Sequence, residues 1–176
     1  LGDVYKRQII NILENTAAYN AGEAIPHIIN VSQVQAYALM GGSGSTICLL
    51  IATFLVSKNA ASRNVAKLAF APGLFNINEP VLFGYPIVYN VSMAIPFIGV
   101  PALGILISYV ATSLGLMSPS VVQVPWTTPI FASSFLSTGG DWRAVVVQAI
   151  ILVLGVLIYI PFIKVHDRVM ENQYEG

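Results

Sequence analysis

The sequence predicts an all-α integral membrane protein with three transmembrane helices and two re-entrant helical hairpins. Of the 176 residues, 56% are hydrophobic and only 9% are charged, whereas about a quarter of an ordinary soluble domain is charged. The charged residues fall in a few short stretches, which leaves long apolar runs between them. The segments that join these runs are also apolar but are broken by proline and glycine. Backbone in contact with lipid must be helical, so the long runs predict spans and the broken segments predict hairpins held within protein.

Three apolar runs reach the length of about 20 residues that a bilayer-spanning helix requires. They extend from about 34 to 56, from about 91 to 116 and from 144 to about 165. All three contain Gly or Pro, which transmembrane helices tolerate when neighbouring helices satisfy the freed backbone groups. Pro96 and Pro101 predict a kink in the second span.

Basic residues beside the spans predict the orientation of the chain. Lys58, Arg63 and Lys67 follow the first span in what the pattern predicts to be a short loop. Lys164 and Arg168 follow the third span. Cytoplasmic segments carry an excess of Lys and Arg, so we expect this loop and the C-terminus to face the cytoplasm.

Residues 70–90 and 117–143 are too apolar for exposed loops and too interrupted for continuous helices. Each stretch contains five Pro or Gly positions, and Pro removes a backbone donor while disfavouring helix at the residue before it. Irregular backbone at membrane depth persists only when it is buried in protein or lines a wet cavity. Both stretches therefore read as re-entrant hairpins that enter from opposite faces, a recurrent way to build the substrate site of a transporter.

Glu79 is the main candidate for a functional residue, because it is the only Asp or Glu between Glu23 and Asp141. Placing a carboxylate at the bilayer centre costs about 2.5–3.5 kcal/mol on insertion scales, so we expect such a residue to have a binding partner or a function. Asn76 and Asn78 lie beside it. Amide donors and carboxylate acceptors together suit a ligand rich in hydroxyls, such as a sugar. The alternative is that these side chains cap broken helix ends and satisfy orphan backbone groups.

Trp126 and Thr127, within Pro125-Trp-Thr-Thr-Pro129, are the second candidate binding element. The indole offers a flat apolar face that can pack on a pyranose ring, and the threonine supplies a hydroxyl. The alternative for Trp126 is an anchor at the membrane interface, which is the interpretation we favour for Trp142.

Other patterns argue against several kinds of chemistry. Cys48 is the only cysteine, and it reads as a small apolar filler rather than part of a disulfide or metal site. The run Gly41-Gly-Ser-Gly-Ser-Thr46 lacks the Lys of a phosphate-binding loop, so we expect close backbone approach there, with Ser43, Ser45 and Thr46 bonding to a neighbouring segment. No catalytic or metal-ligating set can be assembled, no cofactor is expected, and the net charge of zero gives no argument for nucleic acid binding.

Five short runs carry a family resemblance. They are Gly41-Gly-Ser-Gly-Ser-Thr46, Val65-Ala-Lys-Leu68, Phe75-Asn-Ile-Asn-Glu-Pro-Val-Leu-Phe-Gly-Tyr-Pro-Ile87, Pro125-Trp-Thr-Thr-Pro129 and Tyr159-Ile-Pro-Phe162. Together they resemble the C-terminal half of the membrane-embedded IIC component of the bacterial phosphotransferase system, in the branch of the lactose, cellobiose and diacetylchitobiose permeases.

The resemblance implies a sugar-translocating permease subunit of a phosphoenolpyruvate-dependent system in a bacterial plasma membrane. Such a subunit binds a β-linked disaccharide of the cellobiose, lactose or diacetylchitobiose type and presents it to a IIB partner, which works with a IIA component. The phosphocysteine belongs to IIB, so phosphoryl transfer is carried by the partner and Cys48 is no candidate for it. In this family the carboxylate of the Asn-Glu-Pro motif binds sugar hydroxyls, a role that Glu79 and Asn78 inherit, and Trp126 would line the sugar pocket.

The resemblance also implies how the chain is organised. It covers residues 27–168, so 1–26 is expected to be a non-matching or amphipathic lead-in, foreign or misread at 1–8, and 169–176 a cytoplasmic tail. Family members are about twice this length or more, so the chain is expected to be a fragment of a larger permease that dimerises through its N-terminal half. Two alternatives remain open, an ion-coupled secondary transporter in which Glu79 carries a proton and a truncated remnant that does not transport.

Overall fold

The computed structural model describes residues 2–85, 87 and 91–174, and this part of the chain is helical without any β-strand. The helices of the described ranges are α1 (Gly2–Ala21), α2 (Val31–Ala38), α3 (Thr46–Val56), α4 (Ala60–Leu74), α5 (Glu79–Gly84), α6 (Val91–Ser113), α7 (Ala132–Ser137) and α8 (Trp142–Tyr174), with a 3₁₀ turn at Ser43–Ser45 between α2 and α3. The predicted all-α class is confirmed.

Three stretches of the described chain are long and apolar enough to cross a membrane, namely Val31–Val56, Met93–Ser113 and Trp142–Met170. The three predicted spans are therefore confirmed. The first differs from the prediction in one respect, because α2 and α3 are separated by a turn rather than joined in one helix. Gly42 and Gly44 adopt positive φ angles of 92° and 77° in this turn, a conformation that glycine reaches without steric cost.

The chain divides into two compact units. The first comprises Leu1–Ala38 and Ala102–Ile151, and the second comprises Leu39–Pro101 and Leu152–Gly176. In the first unit α2 packs against both α1 and α7, and in the second unit α4 packs against both α3 and α5.

A buried amide joins distant segments of the first unit. Asn15 of α1 donates from Nδ2 to the carbonyl oxygens of His27 at 2.6 Å and Ser120 at 2.8 Å. Its Oδ1 accepts the His27 N–H at 3.0 Å. The same unit has a close helix contact, since a Cβ on Gly104 would clash with the Tyr37 carbonyl oxygen. These contacts give irregular backbone the internal partners that it requires when water is absent.

The buried carboxylate of Asp167 joins α8 to the end of α3 in the second unit. The Ser57 hydroxyl donates to its two oxygens at 2.9 and 3.1 Å, and the Lys58 N–H donates to Oδ2 at 2.8 Å. Arg63 donates to the carbonyl oxygens of Phe54 at 3.4 Å and Ser57 at 3.1 Å. The guanidinium thus satisfies carbonyls that the end of a helix leaves without partners.

The segment that the sequence predicted as a short basic loop is instead the beginning of α4. Asn59 caps this helix, because its side chain accepts the Ser62 N–H at 3.0 Å. Two alanines, the best helix formers, follow the cap at 60 and 61. The loop prediction was wrong. The basic residues indicate where the span ends, but the Asn59 cap and the two alanines favour a helix after it.

Candidate functional site

The polar segment around Glu79 lies in a break between two helices of the second unit. The helix α4 ends at Leu74 and α5 begins at Glu79, so the predicted interruption of the 70–90 segment is confirmed. Asn76 lies in this break with φ 63°, a left-handed conformation in which Asn is enriched. Pro86 and residues 88–90 of the predicted hairpin lie outside the described residues.

Asn76 and Asn78 bind the backbone of the turn between α2 and α3. The Oδ1 atom of Asn76 accepts the Gly41 N–H at 2.8 Å, and Nδ2 of Asn78 donates to the Ser43 carbonyl at 3.0 Å. Both asparagines are buried, with 8% and 7% of their surface exposed. These bonds agree with the alternative in which the amides satisfy orphan backbone groups.

The turn itself, residues 41–46, is packed too tightly for side chains at its glycines. A Cβ on Gly42 would lie 2.5 Å from Cγ of Asn78, and one on Gly44 would clash with the ring of Phe97. The two glycines thus make room for the side chains of Asn78 and Phe97, whereas the expectation was a close approach of neighbouring backbone. The expected partner of Thr46 was wrong, because its hydroxyl donates to the Gly41 carbonyl within the turn rather than to a neighbouring segment.

Glu79 differs from the two asparagines because its side chain is exposed at the start of α5. Its carboxylate makes no hydrogen bond or ion pair with any residue in the part of the chain that the structure describes. A negative charge in the first turn of a helix is favoured by the helix dipole. The structure thus brings Asn76, Asn78 and Glu79 together in sequence and space, with the amides engaged internally and the carboxylate available to accept bonds from a ligand.

Trp126 and Thr127 belong to the first unit and form the middle of a β-turn. The Thr128 N–H donates to the Pro125 carbonyl at 3.0 Å, and the Thr128 hydroxyl donates to the same oxygen at 2.7 Å. This closure places two residues at the tip of the turn. The indole is 55% exposed and Thr127 is half-buried, so both present surface outside the core of their unit.

The second interrupted segment, 117–143, contains a single short helix, α7, after irregular backbone at 117–131. Asp141 holds both ends of this segment together. Its carboxylate accepts the Ser118 N–H at 2.7 Å and a bond from Nε of Arg143 at 3.1 Å. Partial burial raises the pKa of Asp141, but the bonds from Arg143 and Ser118 outweigh it and lower that pKa to about 2.

Gln148 of α8 is a structural residue that the sequence reasoning missed. Its Nε2 donates to the Ala36 carbonyl at 2.6 Å, and its Oε1 accepts the Phe131 N–H at 2.8 Å and the Ser134 hydroxyl at 2.7 Å. Phe131 has a positive φ of 69° directly before α7. The signal was present, since a polar side chain in a long apolar span requires a partner.

Cys48 and Trp142, for which the sequence predicted no role in binding, lie at positions that agree with that prediction. Cys48 is fully buried and donates weakly to the Leu152 carbonyl at 3.7 Å, and its role as a small apolar filler is confirmed. Trp142 is 67% exposed at the first position of α8. Among the residues that the structure describes, no group of three or more His, Cys, Asp and Glu could hold a metal ion.

Known proteins similar to this chain are named as EIIC or IIC components. The cellobiose-specific EIIC component of the PTS system from Lactococcus lactis subsp. lactis is 45% identical over 80% of this chain and 28% of its own length. The lichenan permease IIC component from Bacillus subtilis is 37% identical over 88% of this chain and 34% of its own length. The chain thus spans about a third of the length of these relatives.

A solved structure is also similar. The crystal structure of the transporter ChbC, the IIC component from the N,N'-diacetylchitobiose-specific phosphotransferase system, matches 99% of this chain and 41% of its own chain with a TM-score of 0.93 and 35% identity. The family model "Phosphotransferase system, EIIC" matches residues 4–101, a range that begins within α1. The division of the chain at residues 26 and 168 stays a prediction. From this agreement of sequence and fold, the chain belongs to the EIIC family of the phosphotransferase system, whose members are integral membrane proteins.

Proposed function

We propose that this chain forms the substrate-binding part of a sugar-translocating permease of a phosphoenolpyruvate-dependent phosphotransferase system. The sugar is a β-linked disaccharide of the cellobiose, lactose or diacetylchitobiose type. Similar proteins named for cellobiose, lichenan and diacetylchitobiose support this class of substrate. The chain spans less than half of each of them, so the complete permease is the transporting species.

The observation that carries the proposal is the exposed carboxylate of Glu79 beside two buried amides. Asn76 and Asn78 bind backbone of the 41–46 turn, which fixes the loop from which Glu79 projects. An ionised carboxylate only accepts hydrogen bonds, and sugar hydroxyls donate them. Glu79 is therefore the proposed residue that contacts the substrate, held in place by the two asparagines.

The substrate roles of the other predicted residues are proposals of lesser support. Asn76 and Asn78 lie within three residues of Glu79, and an amide both donates and accepts hydrogen bonds, which suits contact with sugar hydroxyls. Trp126 is exposed and Thr127 half-buried at the tip of their turn, which suits stacking on a pyranose ring and a hydroxyl contact.

The proposed partners are a IIB component that carries the phosphocysteine and a IIA component that supplies it. Phosphorylation of the bound disaccharide at the cytoplasmic face traps it inside the cell. We also propose a homodimer formed through the N-terminal half of the permease, which lies outside this chain.

Uptake of radiolabelled cellobiose by cells that express the full-length permease tests the proposal. We expect accumulation as sugar phosphate that stops when the IIB cysteine is replaced by Ser. Accumulation of unmodified sugar that follows an imposed pH gradient and ignores the IIB variant would instead show an ion-coupled transporter. A permease that folds but binds none of the three sugars would show a remnant without transport function.

The proposed orientation places the N-terminal end of α4 and the C-terminus in the cytoplasm. Lys58, Lys67, Lys164 and Arg168 all support this side by the positive-inside rule. The test compares Ala61→Cys with Ser113→Cys, both at exposed positions, because a Cys at Asn59 would remove the cap of α4. An impermeant thiol reagent added to intact cells should label only position 113. Labelling of position 61 alone would invert the topology.

A further inference from the structure

A basic cavity of about 340 Å³ opens in the second unit, apart from the Glu79 loop. It is lined by Val56 and Lys58, at the end of α3, and by Lys164, Asp167 and Arg168 of α8. No step of the proposed sugar function uses these residues. The cavity is therefore a candidate site for a second ligand.

The charges that line the cavity are unequal. Lys58, Lys164 and Arg168 are exposed, and none of them forms an ion pair with a carboxylate among the described residues. Lys164 and Arg168 are four residues apart on α8, so they share one face of that helix. The single carboxylate, Asp167, is buried and already accepts bonds from the Ser57 hydroxyl and the Lys58 N–H. Three cations are thus opposed by one acid whose oxygens are engaged.

The bond between Asp167 and the backbone of Lys58 also explains why the cations are close together. It fixes Lys58, just beyond the first span, against the helix that carries the other two cations. Ammonium and guanidinium groups are the side chains that bind phosphate oxygens in proteins. A cavity of this size and charge suits one phosphate group with its ester substituents.

We propose that this cavity binds the phosphate of an anionic phospholipid headgroup. Lys58 lies two residues beyond Val56, where the first span ends, and Lys164 and Arg168 lie in the last two turns of the third stretch, whose 29 residues exceed the length of about 20 that a bilayer requires. The cavity therefore falls at the depth of the headgroups. Basic pockets between transmembrane helices at this depth bind acidic lipid headgroups. Leu55 and Val165, which precede Val56 and follow Lys164 in the sequence, are 65% and 47% exposed, and we expect their apolar side chains to contact an acyl chain. Inorganic phosphate has no apolar part that could pack on these side chains, so the apolar surface favours a lipid as the ligand.

Binding of dioleoyl phosphatidylglycerol to the full-length protein in detergent tests the proposal, with dioleoyl phosphatidylcholine as the neutral lipid. Native mass spectrometry counts the bound lipid. We expect phosphatidylglycerol to bind in preference, and Lys164→Gln with Arg168→Gln to weaken it about 25-fold, since each cation near a headgroup contributes about fivefold. Lys67→Gln is the matched control, because Lys67 is an exposed cation outside the cavity, and it should leave affinity unchanged.

Three outcomes would overturn the proposal. Equal binding of the two lipids removes the headgroup site, and equal weakening by Lys67→Gln reduces the effect to general surface charge. Displacement of phosphatidylglycerol by millimolar inorganic phosphate shows a free phosphate site instead of a lipid site. If the double variant is not monodisperse, Lys58→Gln replaces it and should weaken binding about fivefold, because only the backbone of Lys58 bonds to Asp167.

Discussion

The hydroxyl of Tyr159 donates a hydrogen bond to the carbonyl oxygen of Gly44 at 2.6 Å. Tyr159 belongs to α8 and Gly44 to the turn between α2 and α3, so the third span supplies a partner to the break in the first. Tyr159 is 1% exposed, which leaves no water to replace the bond. The turn is therefore completed by a side chain 115 residues away in sequence.

Tyr159→Phe should lower the stability of the protein by about 1–3 kcal/mol, because it leaves the buried Gly44 carbonyl without this donor. For a chain of this size the melting temperature should fall by at least about 2 °C. Thermal unfolding in detergent measures the change. The control is Tyr109→Phe at a position that is 45% exposed on α6, and equal melting temperatures for the two variants would contradict a structural role for the Tyr159 hydroxyl.

Gly42→Ala should disrupt the loop that carries Glu79. The added Cβ would lie 2.5 Å from Cγ of Asn78 while the backbone keeps a φ of 92° that Ala rarely adopts. We expect less monodisperse protein on size-exclusion chromatography and weaker sugar binding. Gly99→Ala is the matched control, since a Cβ there meets nothing within 4 Å, and normal behaviour of both variants would refute the tight packing of the turn.

Gln148→Leu should destabilise the first unit by more than about 2 kcal/mol. The substitution leaves the Phe131 N–H and the Ala36 carbonyl without their buried partner, and each such loss costs about 1–3 kcal/mol. Thermal unfolding in detergent is again the measurement. Gln123→Leu provides the control because Gln123 is exposed in the same unit, so a similar loss in both variants would point to added hydrophobicity rather than to the lost bonds.

Glu79→Gln in the complete permease should lower sugar affinity about tenfold or more while the protein stays folded. The change keeps the size of the side chain but removes its charge, and hydrogen bonds to charged groups contribute about 1.5–3 kcal/mol. Isothermal titration with disaccharide measures affinity per folded molecule. Glu14→Gln, which changes an exposed carboxylate of the first unit, should bind sugar normally.

Asn76→Ala separates a structural role from direct binding. Because the Asn76 side chain accepts the Gly41 N–H, loss of this side chain should reduce the folded fraction before it reduces sugar affinity per folded molecule.

For the Glu79→Gln variant described above, unchanged sugar affinity in folded protein would show that Glu79 does not belong to the sugar site.

The sequence allowed the helical class, the three spans and the break before Glu79 to be predicted, because each depends on local composition. The break in the first span escaped prediction although Gly41, Gly42 and Gly44 were visible. Hydropathy averaged over about 20 residues does not register a turn as short as 41–46. The partners of Asn76 and Gln148 could not be read from the sequence either, because each bond joins residues that are distant along the chain.

The bonds to the 41–46 turn have a consequence for biosynthesis. The acceptor for the Gly41 N–H is 35 residues downstream and the donor to the Gly44 carbonyl is 115 residues downstream. A chain that enters the membrane from its N-terminus therefore presents α2 and α3 to the insertion machinery before either side chain has left the ribosome. Exposed polar backbone is unstable in hydrocarbon, so we expect this broken span to stay sheltered from lipid until α4 and α5 are inserted. We expect its final release into lipid to follow the synthesis of α8.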